Sequence, residues 1–198
     1  MYSVARPERG CHIESVSSLN DTDRREFLRE YPPVSYRQPR DGGSWPDYEL
    51  EPVTESDGLR HLTTPPVDPL VRGSPRLDLK DDGKNCHLWV VDERGLPYIL
   101  QNPIHRLGPN PLKHTNVTGA GKASLGGELW FDDPSTIYVS GSSGRYPPRD
   151  AEQLRRAEAL FRSAGYAVMS FGWDEETKRP RKILPPDALT ASTSGTKR

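Results

Sequence analysis

The sequence predicts an α+β fold, in which a small, mostly antiparallel β-sheet packs one face against one main helix. Three observations lead to this prediction. Strand-like apolar runs separated by turn residues follow residue 86, one amphipathic helix follows Asp150, and a further strand-like run follows that helix. Runs of strands with a single helix at one side are typical of an α+β domain.

Composition limits how much of the 198-residue chain can form a core. Apolar residues make up 33% of it, and there are 20 prolines and 17 glycines. Ordering a residue costs roughly 1–2 kcal/mol of backbone entropy, which burial of apolar surface must offset. A chain with this few apolar residues cannot bury a core along its whole length. We therefore expect a proline-rich, partly disordered leader over residues 1–80, a folded domain over 81–185 and a disordered tail over 186–198.

The leader contains one helix-like segment, DTDRREFLREY (21–31). Phe27 and Leu28 give it a short apolar face, and Pro32-Pro33 ends it. Turn signals and extended coil follow. Two alternatives stay open for this part of the chain. It is either a flexible leader, or it packs onto the domain through its larger apolar side chains, Trp45, Tyr48, Leu50 and Leu59.

The predicted domain begins with a hairpin. CHLWVVDERGLPYIL (86–100) contains two apolar runs around a four-residue turn that ends in Gly95. GELWF (127–131) and TIYVSG (136–141) are predicted strands because they are rich in aromatic and β-branched residues. The polar sequence Asp-Asp-Pro-Ser joins them as a turn.

Asp150 opens the clearest helix. Its carboxylate can accept hydrogen bonds from first-turn amides, and Gln153 lies at the capping-box position. An apolar stripe follows (Leu154, Ala157, Leu160, Phe161, Ala164), with charged residues predicted on the other side (Arg155, Arg156, Glu158, Arg162). Gly165 is suited to the C-terminal cap. YAVMSFGW (166–173) and RKIL (181–184) are predicted to be the last strands.

Several functional classes are not indicated by the sequence. The net charge of −1 gives no global field for nucleic acid, so that only a local basic patch remains. Cys11 and Cys86 lie far apart without metal-ligand spacing, so we expect no disulfide framework, metal site or cofactor. No DNA-binding motif and no apolar run of roughly 20 residues for a membrane span are present. MYSVARPERG lacks the apolar segment of a cleavable signal peptide, although export by a specialised injection apparatus would leave no such mark.

The candidate chemistry lies in KHTNVTGAGKASLGGELWFDDPSTIYVSGSSGRYPP (113–148). His114 precedes polar residues and a glycine loop, so we expect it outside the core, where an imidazole can move a proton near neutral pH. Its alternative role is to tie down the glycine loop by hydrogen bonds. Glu128 is expected beside Trp130 on an open sheet face, with Leu129 and Phe131 facing the helix. The alternative for Glu128 is a solvated edge carboxylate.

SGSSGRYPP (140–148) is predicted to be a donor-rich turn. Arg145 offers a guanidinium suited to phosphate, and Tyr146 a hydroxyl or a stacking face. Pro147-Pro148 leads to a helix N-terminus, which favours an anion. No Gly-Lys-Ser/Thr follows, so the segment is not a nucleotide-binding P-loop. A purely structural loop is the alternative.

Together, His114, Glu128 and Arg145 are the parts that a metal-independent ribonuclease needs, with the ribose 2′-hydroxyl as internal nucleophile. Further residues are predicted to contact substrate (Lys113, Thr115, Asn116, Trp130, Ser143, Tyr146), and others to form a cationic rim (Lys113, Lys122, His105, Arg106). The same parts can hold a dinucleotide pyrophosphate, as in an ADP-ribosyltransferase or another enzyme that consumes NAD. A non-enzymatic protein-binding module is the third hypothesis.

The segment from about residue 86 to 150 resembles a module of plant IQ-motif calmodulin-binding proteins and of some bacterial toxin or effector proteins. That module reads approximately His-Ser-Ser-Phe, Ala-Gly-Glu/Arg and Ser-Gly-His-Tyr-x-Pro. The matching residues are His114, Thr115, Asn116, Gly127, Glu128, Ser143, Gly144, Arg145, Tyr146 and Pro148. Thr115-Asn116 replaces Ser-Ser, and Arg145 stands where the module has His, which argues against a mechanism that needs two histidines.

The resemblance implies a shared sheet scaffold and a bacterial toxin or effector context. No IQ motif is visible, so calmodulin binding is not implied. A secreted or injected protein of this kind is expected to act in the cytoplasm of a target cell. Its expected partners are RNA or a nucleotide as substrate, and a host protein or a cognate immunity protein that neutralises it.

Overall fold

The computed structural model describes residues 21–62 and 86–182. These residues form four helices: α1 Asp21–Glu30, α2 Asp47–Leu50, α3 His114–Thr118 and α4 Ala151–Ser163. They also form ten strands, which are β1 Val34–Ser35, β2 Arg60–His61, β3 His87–Val91, β4 Pro97–Leu100, β5 Lys122–Ala123, β6 Leu125–Phe131, β7 Thr136–Ser140, β8 Ala167–Ser170, β9 Trp173–Asp174 and β10 Arg179–Pro180. Two short 3-10 turns lie at Glu55–Asp57 and His105–Leu107.

The predicted α+β class is confirmed. Six strands form one sheet in the order β2-β4-β3-β6-β7-β8, and two two-stranded sheets, β1-β5 and β10-β9, lie beside it. All pairs are antiparallel except β7 and β8, which run parallel. Helix α4 connects β7 to β8, since a parallel neighbour requires a crossover.

The predicted hairpin is β3–β4. Asp92 and Gly95 exchange both backbone hydrogen bonds at 3.1 Å, and Gly95 has a φ of 130°. Glycine adopts this φ without the steric cost that a side chain brings. The segment GELWF lies within β6, and TIYVSG contains β7, so both predicted strands are confirmed.

Helix α4 is capped much as the sequence predicts. Asp150 Oδ1 accepts a hydrogen bond from the Gln153 amide at 2.8 Å. Gln153 Oε1 accepts from the Arg149 amide at 2.7 Å, one residue before the cap. Glu158, however, is not on an exposed side of the helix. It is 5% exposed because β8 covers it, and the Ser170 hydroxyl donates to its carboxylate.

The sheet is covered on both faces. The predicted contact of Leu129 and Phe131 with the helix is confirmed, because both share a core with α1 and α4 (Phe27, Trp89, Leu125, Ile137, Val139, Ala157, Leu160, Phe161). The face of Trp130 was expected to be open, and that expectation is wrong. It carries a second core, formed by side chains from the connecting segments (Val53, Leu59, Leu107, Leu112, Val117, Tyr146, Phe171).

The structure decides between the two alternatives for residues 21–62, because this segment is part of the fold. Phe27 on α1 is 2% exposed, β1 pairs with β5, and β2 extends the main sheet beside β4. A boundary at residue 80 therefore does not separate this segment from the domain. The rest of the predicted leader (1–20 and 63–80) and the predicted tail (186–198) lie outside the described residues.

The end of the described chain differs from its prediction. The final strand is β10, Arg179–Pro180, which pairs with β9 rather than lying at RKIL (181–184). Residues 183 and 184 lie outside the described residues. Within residues 21–62 and 86–182, no helix has both the length and the apolar character needed to cross a bilayer.

Replacing Phe27 with alanine tests whether the N-terminal segment contributes to the core. The change removes a buried ring between α1 and α4, so the free energy of unfolding should fall by about 3–5 kcal/mol in denaturant titrations. Val34→Ala is the control, because Val34 is 55% exposed and its loss should cost about 0.5 kcal/mol or less. Equal, small effects of both changes would contradict this packing.

Candidate functional site

His114 is buried against the central strand of the sheet, contrary to the expectation that it lies outside the core. It begins α3, is 6% exposed, and its Nε2 lies 2.9 Å from the Gly127 carbonyl oxygen. A carbonyl only accepts, so Nε2 carries the proton and Nδ1 is the basic atom. Burial lowers the pKa of His114 to about 4, and the charges of Arg145 and Lys113 act in the same direction. The ring is therefore neutral and weakly basic at pH 7.

Glu128 lies in the interior of the sheet, so the alternative of a solvated edge carboxylate is wrong. It is half-buried on β6, opposite Leu88 of β3 and Ser140 of β7. Desolvation raises its pKa to about 7, although the charge of Lys182 opposes the rise. No described residue donates a hydrogen bond to its carboxylate. Glu128 is thus a carboxyl group that titrates near neutral pH.

Arg145 is anchored by the N-terminal segment. Its guanidinium forms an ion pair with Glu49 of α2 and covers the ring of Trp45, 3.2 Å from the ring centroid. The Arg145 side chain is 11% exposed. These contacts fix the orientation of the guanidinium and use part of its hydrogen-bonding capacity.

The three predicted catalytic residues are neighbours but do not line one pocket. The ring of His114 packs on Gly126, and the side chain of Glu128 lies on the same face of β6 two residues later. Arg145 is close enough to His114 to lower its pKa, whereas Lys182 is the charge that acts on Glu128. Only Arg145 lines the cleft described below.

Four of the six predicted substrate contacts are buried and serve the fold. Thr115 is 0% and Trp130 is 1% exposed, and Trp130 packs against Phe171. Asn116 Nδ2 donates to the carbonyl oxygens of Tyr48 and Glu51 at 2.7 and 2.8 Å, which holds α2 on the domain.

The Tyr146 hydroxyl donates to the Gly121 carbonyl at 2.7 Å, and burial raises the pKa of Tyr146 to about 12. Ser143 lines the cleft, and Lys113 is half-buried.

An open cavity of about 570 Å³ lies at the end of β7. The loop 141–149 lines it together with residues 37–45 and the β9–β10 hairpin. Seven of its lining residues are cations: Arg37, Arg40, Arg145, Arg149, Lys178, Arg179 and Lys182. No Asp or Glu lines it among the described residues. We call this cavity the cationic cleft.

Among the described residues, only two of the seven cations of the cleft form an ion pair. Glu49 pairs with Arg145, and Glu175 pairs with Lys178 at 2.9 Å. The other exposed Lys and Arg side chains of the cleft form no ion pair with any described residue (Arg37, Arg40, Arg149, Arg179, Lys182). Concentrated, unneutralised positive charge in a concave surface attracts anions even when the whole protein is close to neutral.

The sequence analysis predicted a binding role for one of the three segments that line this cleft, but not for the other two. SGSSGRYPP was predicted to be a donor-rich turn, and it does line the cleft. The Asp150 carboxylate caps the helix end beside it by accepting a hydrogen bond from the Gln153 amide, so an anion bound there would meet a negative charge. The basic runs YRQPR (36–40) and KRPRK (178–182) were the available signal for the other walls. Arg106 of the predicted rim is instead bound by Asp57 and Glu51.

Within the described parts of the chain, no group of three or more His, Cys, Asp and Glu residues is arranged to hold a metal ion. Cys86 is a free, fully buried thiol whose Sγ lies 3.2 Å from Gln101 Oε1, and burial raises its pKa. The cleft is therefore the described feature best suited to a charged ligand.

Comparisons with protein-family models, curated proteins and solved structures gave no match to this chain. The resemblance to the plant IQ-motif and bacterial effector module therefore stays a prediction.

The raised pKa of Glu128 predicts how stability depends on pH. A carboxyl group whose pKa is higher in the folded than in the unfolded state stabilises the folded protein at low pH. That stabilisation is lost as pH rises from about 4.5 to about 7. Relative to wild type, Glu128→Gln should therefore gain stability across this window, measured by thermal unfolding at each pH. The exposed Glu93→Gln is the control and should follow the wild-type curve. A constant difference between Glu128→Gln and wild type from pH 4 to 8 would contradict the assignment.

Proposed function

We propose that this protein is an effector-type enzyme that cleaves RNA by metal-independent phosphoryl transfer at the cationic cleft. The cleft is the observation that carries the proposal. Its charge comes from three chain segments that fold together, although the whole protein has a net charge of −1. Phosphate oxygens are the usual partners of clustered Arg and Lys side chains in nucleic-acid-binding proteins.

Arg and Lys side chains serve two purposes in such a reaction. They hold the phosphates of the chain, and they stabilise the negative charge that grows on phosphorus in the transition state. Arg145 is suited to the second purpose because Glu49 and Trp45 hold its guanidinium in one orientation. Arg40, Arg179 and Lys182 are suited to the first purpose, since they form no ion pair with any described residue.

Glu128 is the group whose acidity best matches a general base. A pKa of about 7 leaves a carboxylate present at neutral pH and gives it the basicity to take a proton from a hydroxyl group. Glu128 pairs across the strands with Ser140, which directly precedes cleft residue Gly141. Lys182, whose charge acts on Glu128, also lines the cleft. These neighbours support a position at the edge of the ligand site.

The proposed reaction balances without a co-reactant. Glu128 takes the proton of a ribose 2′-hydroxyl, and the 2′-oxygen forms a bond to the adjacent phosphorus. The bond from phosphorus to the 5′-oxygen breaks, and that oxygen takes a proton from Lys182 or from water. The products are a 2′,3′-cyclic phosphate and a 5′-hydroxyl.

His114 acts on Glu128 through the backbone in this proposal. Its Nε2–H donates to the carbonyl of Gly127, which directly precedes Glu128 on β6. With a pKa of about 4, the imidazole is a weak base at neutral pH, so we assign it a positioning role. The prediction that His114 itself transfers a proton stays a prediction.

The biological setting is part of the proposal. A ribonuclease of this kind would be secreted or injected and would act in the cytoplasm of a target cell, and a cognate immunity protein would neutralise it. The support for this setting is the resemblance of residues 86–150 to effector modules.

Expression of the protein inside bacteria should then arrest growth, and loss of the Glu128 carboxylate should relieve the arrest.

Incubating the purified chain with total RNA in EDTA tests the proposed reaction directly. We expect cleavage to 2′,3′-cyclic phosphate ends, and Glu128→Gln should lower the rate about 10²- to 10⁴-fold, because it removes the base. Lys122→Ala is the matched control, since Lys122 is an exposed cation outside the cleft.

Intact RNA together with loss of added NAD, or transfer of labelled ADP-ribose, would overturn the proposal in favour of an enzyme that consumes NAD. An unchanged cleavage rate in Glu128→Gln would contradict the role given to this carboxylate. His114→Gln should lower the rate without moving the pH midpoint of activity, because its role is to position β6.

A further inference from the structure

Two tryptophans line the cationic cleft, and they differ in the contacts that their indole rings make with other residues. The ring of Trp45 is covered by the Arg145 guanidinium, and its Nε1 donates to the Arg37 carbonyl at 2.9 Å. Trp45 is therefore part of the wall. Trp173 on β9 is half-buried, and its indole forms no ring contact, cation–π contact or hydrogen bond with any described residue.

The surroundings of Trp173 are cationic. Pro180 pairs with it across the β9–β10 hairpin, and Arg179 and Lys182 line the cleft without an ion pair to any residue that the structure describes. An aromatic ring beside several Arg and Lys side chains is the arrangement by which proteins hold single-stranded nucleic acid. The cations follow the phosphates, and the ring stacks on a base.

We propose that the cationic cleft selects unpaired RNA, with the indole of Trp173 as the platform on which one base stacks. The inference rests on the proposed function and adds the substrate class to it. A duplex would not satisfy this site, because its bases are already stacked on one another and cannot also lie on the indole. A mononucleotide would use only a few of the seven cations, which lie on three chain segments.

Binding measured without cleavage separates this inference from the proposed reaction. The Glu128→Gln chain is titrated against fluorescent, unstructured 12-nucleotide RNA, against the same strand in a duplex, and against a mononucleotide. Fluorescence anisotropy should show that the single strand binds at least tenfold tighter than either competitor. Affinity should also fall steeply with salt, because phosphate contacts release counterions.

The test variants remove or conserve the ring at position 173. Adding Trp173→Ala should weaken single-strand binding about 5- to 100-fold, and Trp173→Phe should restore most of the loss, since a phenyl ring also stacks. Circular dichroism checks that both variants fold. Arg155→Ala, at an exposed cation of α4 outside the cleft, is the control and should change affinity less than threefold.

Equal affinity for single strand and duplex, or wild-type affinity in Trp173→Ala, would overturn the inference even if RNA is cleaved. The comparison of single strand with duplex decides the matter if Trp173→Ala does not fold. Selective, Trp173-dependent binding without any cleavage by the wild-type chain would uphold the inference and overturn the proposed reaction instead.

Discussion

The structure depends on the close packing around Gly126 and Gly127, at the centre of β6. A Cβ at position 127 would collide with the Ser140 carbonyl and the ring of Trp89, and one at position 126 would lie 2.9 Å from the ring of His114. Layers on both faces of the sheet can therefore approach β6 only because these residues lack side chains. His114 on one face and Trp89 on the other fix the positions of α3 and of the main core.

The same packing shifts the pKa values of His114 and Glu128 in opposite directions. His114 loses access to water between α3 and β6, which lowers its pKa, whereas desolvation raises the pKa of Glu128 two residues from the contact. His114 and Glu128 were both predicted from the sequence to take part in proton transfer, but their protonation behaviour at neutral pH differs. The carboxyl group is the one whose protonation changes, and the imidazole holds the strand that carries it.

The sequence predicted the elements whose signals are local. Apolar runs, aromatic and β-branched content and turn chemistry predicted β3, β4, β6 and β7, and the Asp150 cap with its apolar stripe predicted α4. The burial of His114 could not be read from its polar neighbours, because it arises from contact with Gly126, twelve residues later. The attachment of residues 21–62 also depends on distant partners, such as Asn116 with Tyr48 and Arg145 with Glu49. The cationic cleft joins three segments that only the fold brings together.

We propose that phosphate-bearing RNA binds in the cationic cleft. Ultraviolet cross-linking of bound single-stranded RNA, followed by mass spectrometry of the linked peptides, tests it most directly. We expect cross-links to concentrate in the segments 37–45, 141–149 and 173–182, which contain the residues that line the cleft. Cross-links confined to other surfaces, such as the loop around His105 or the exposed side of α4, would contradict it.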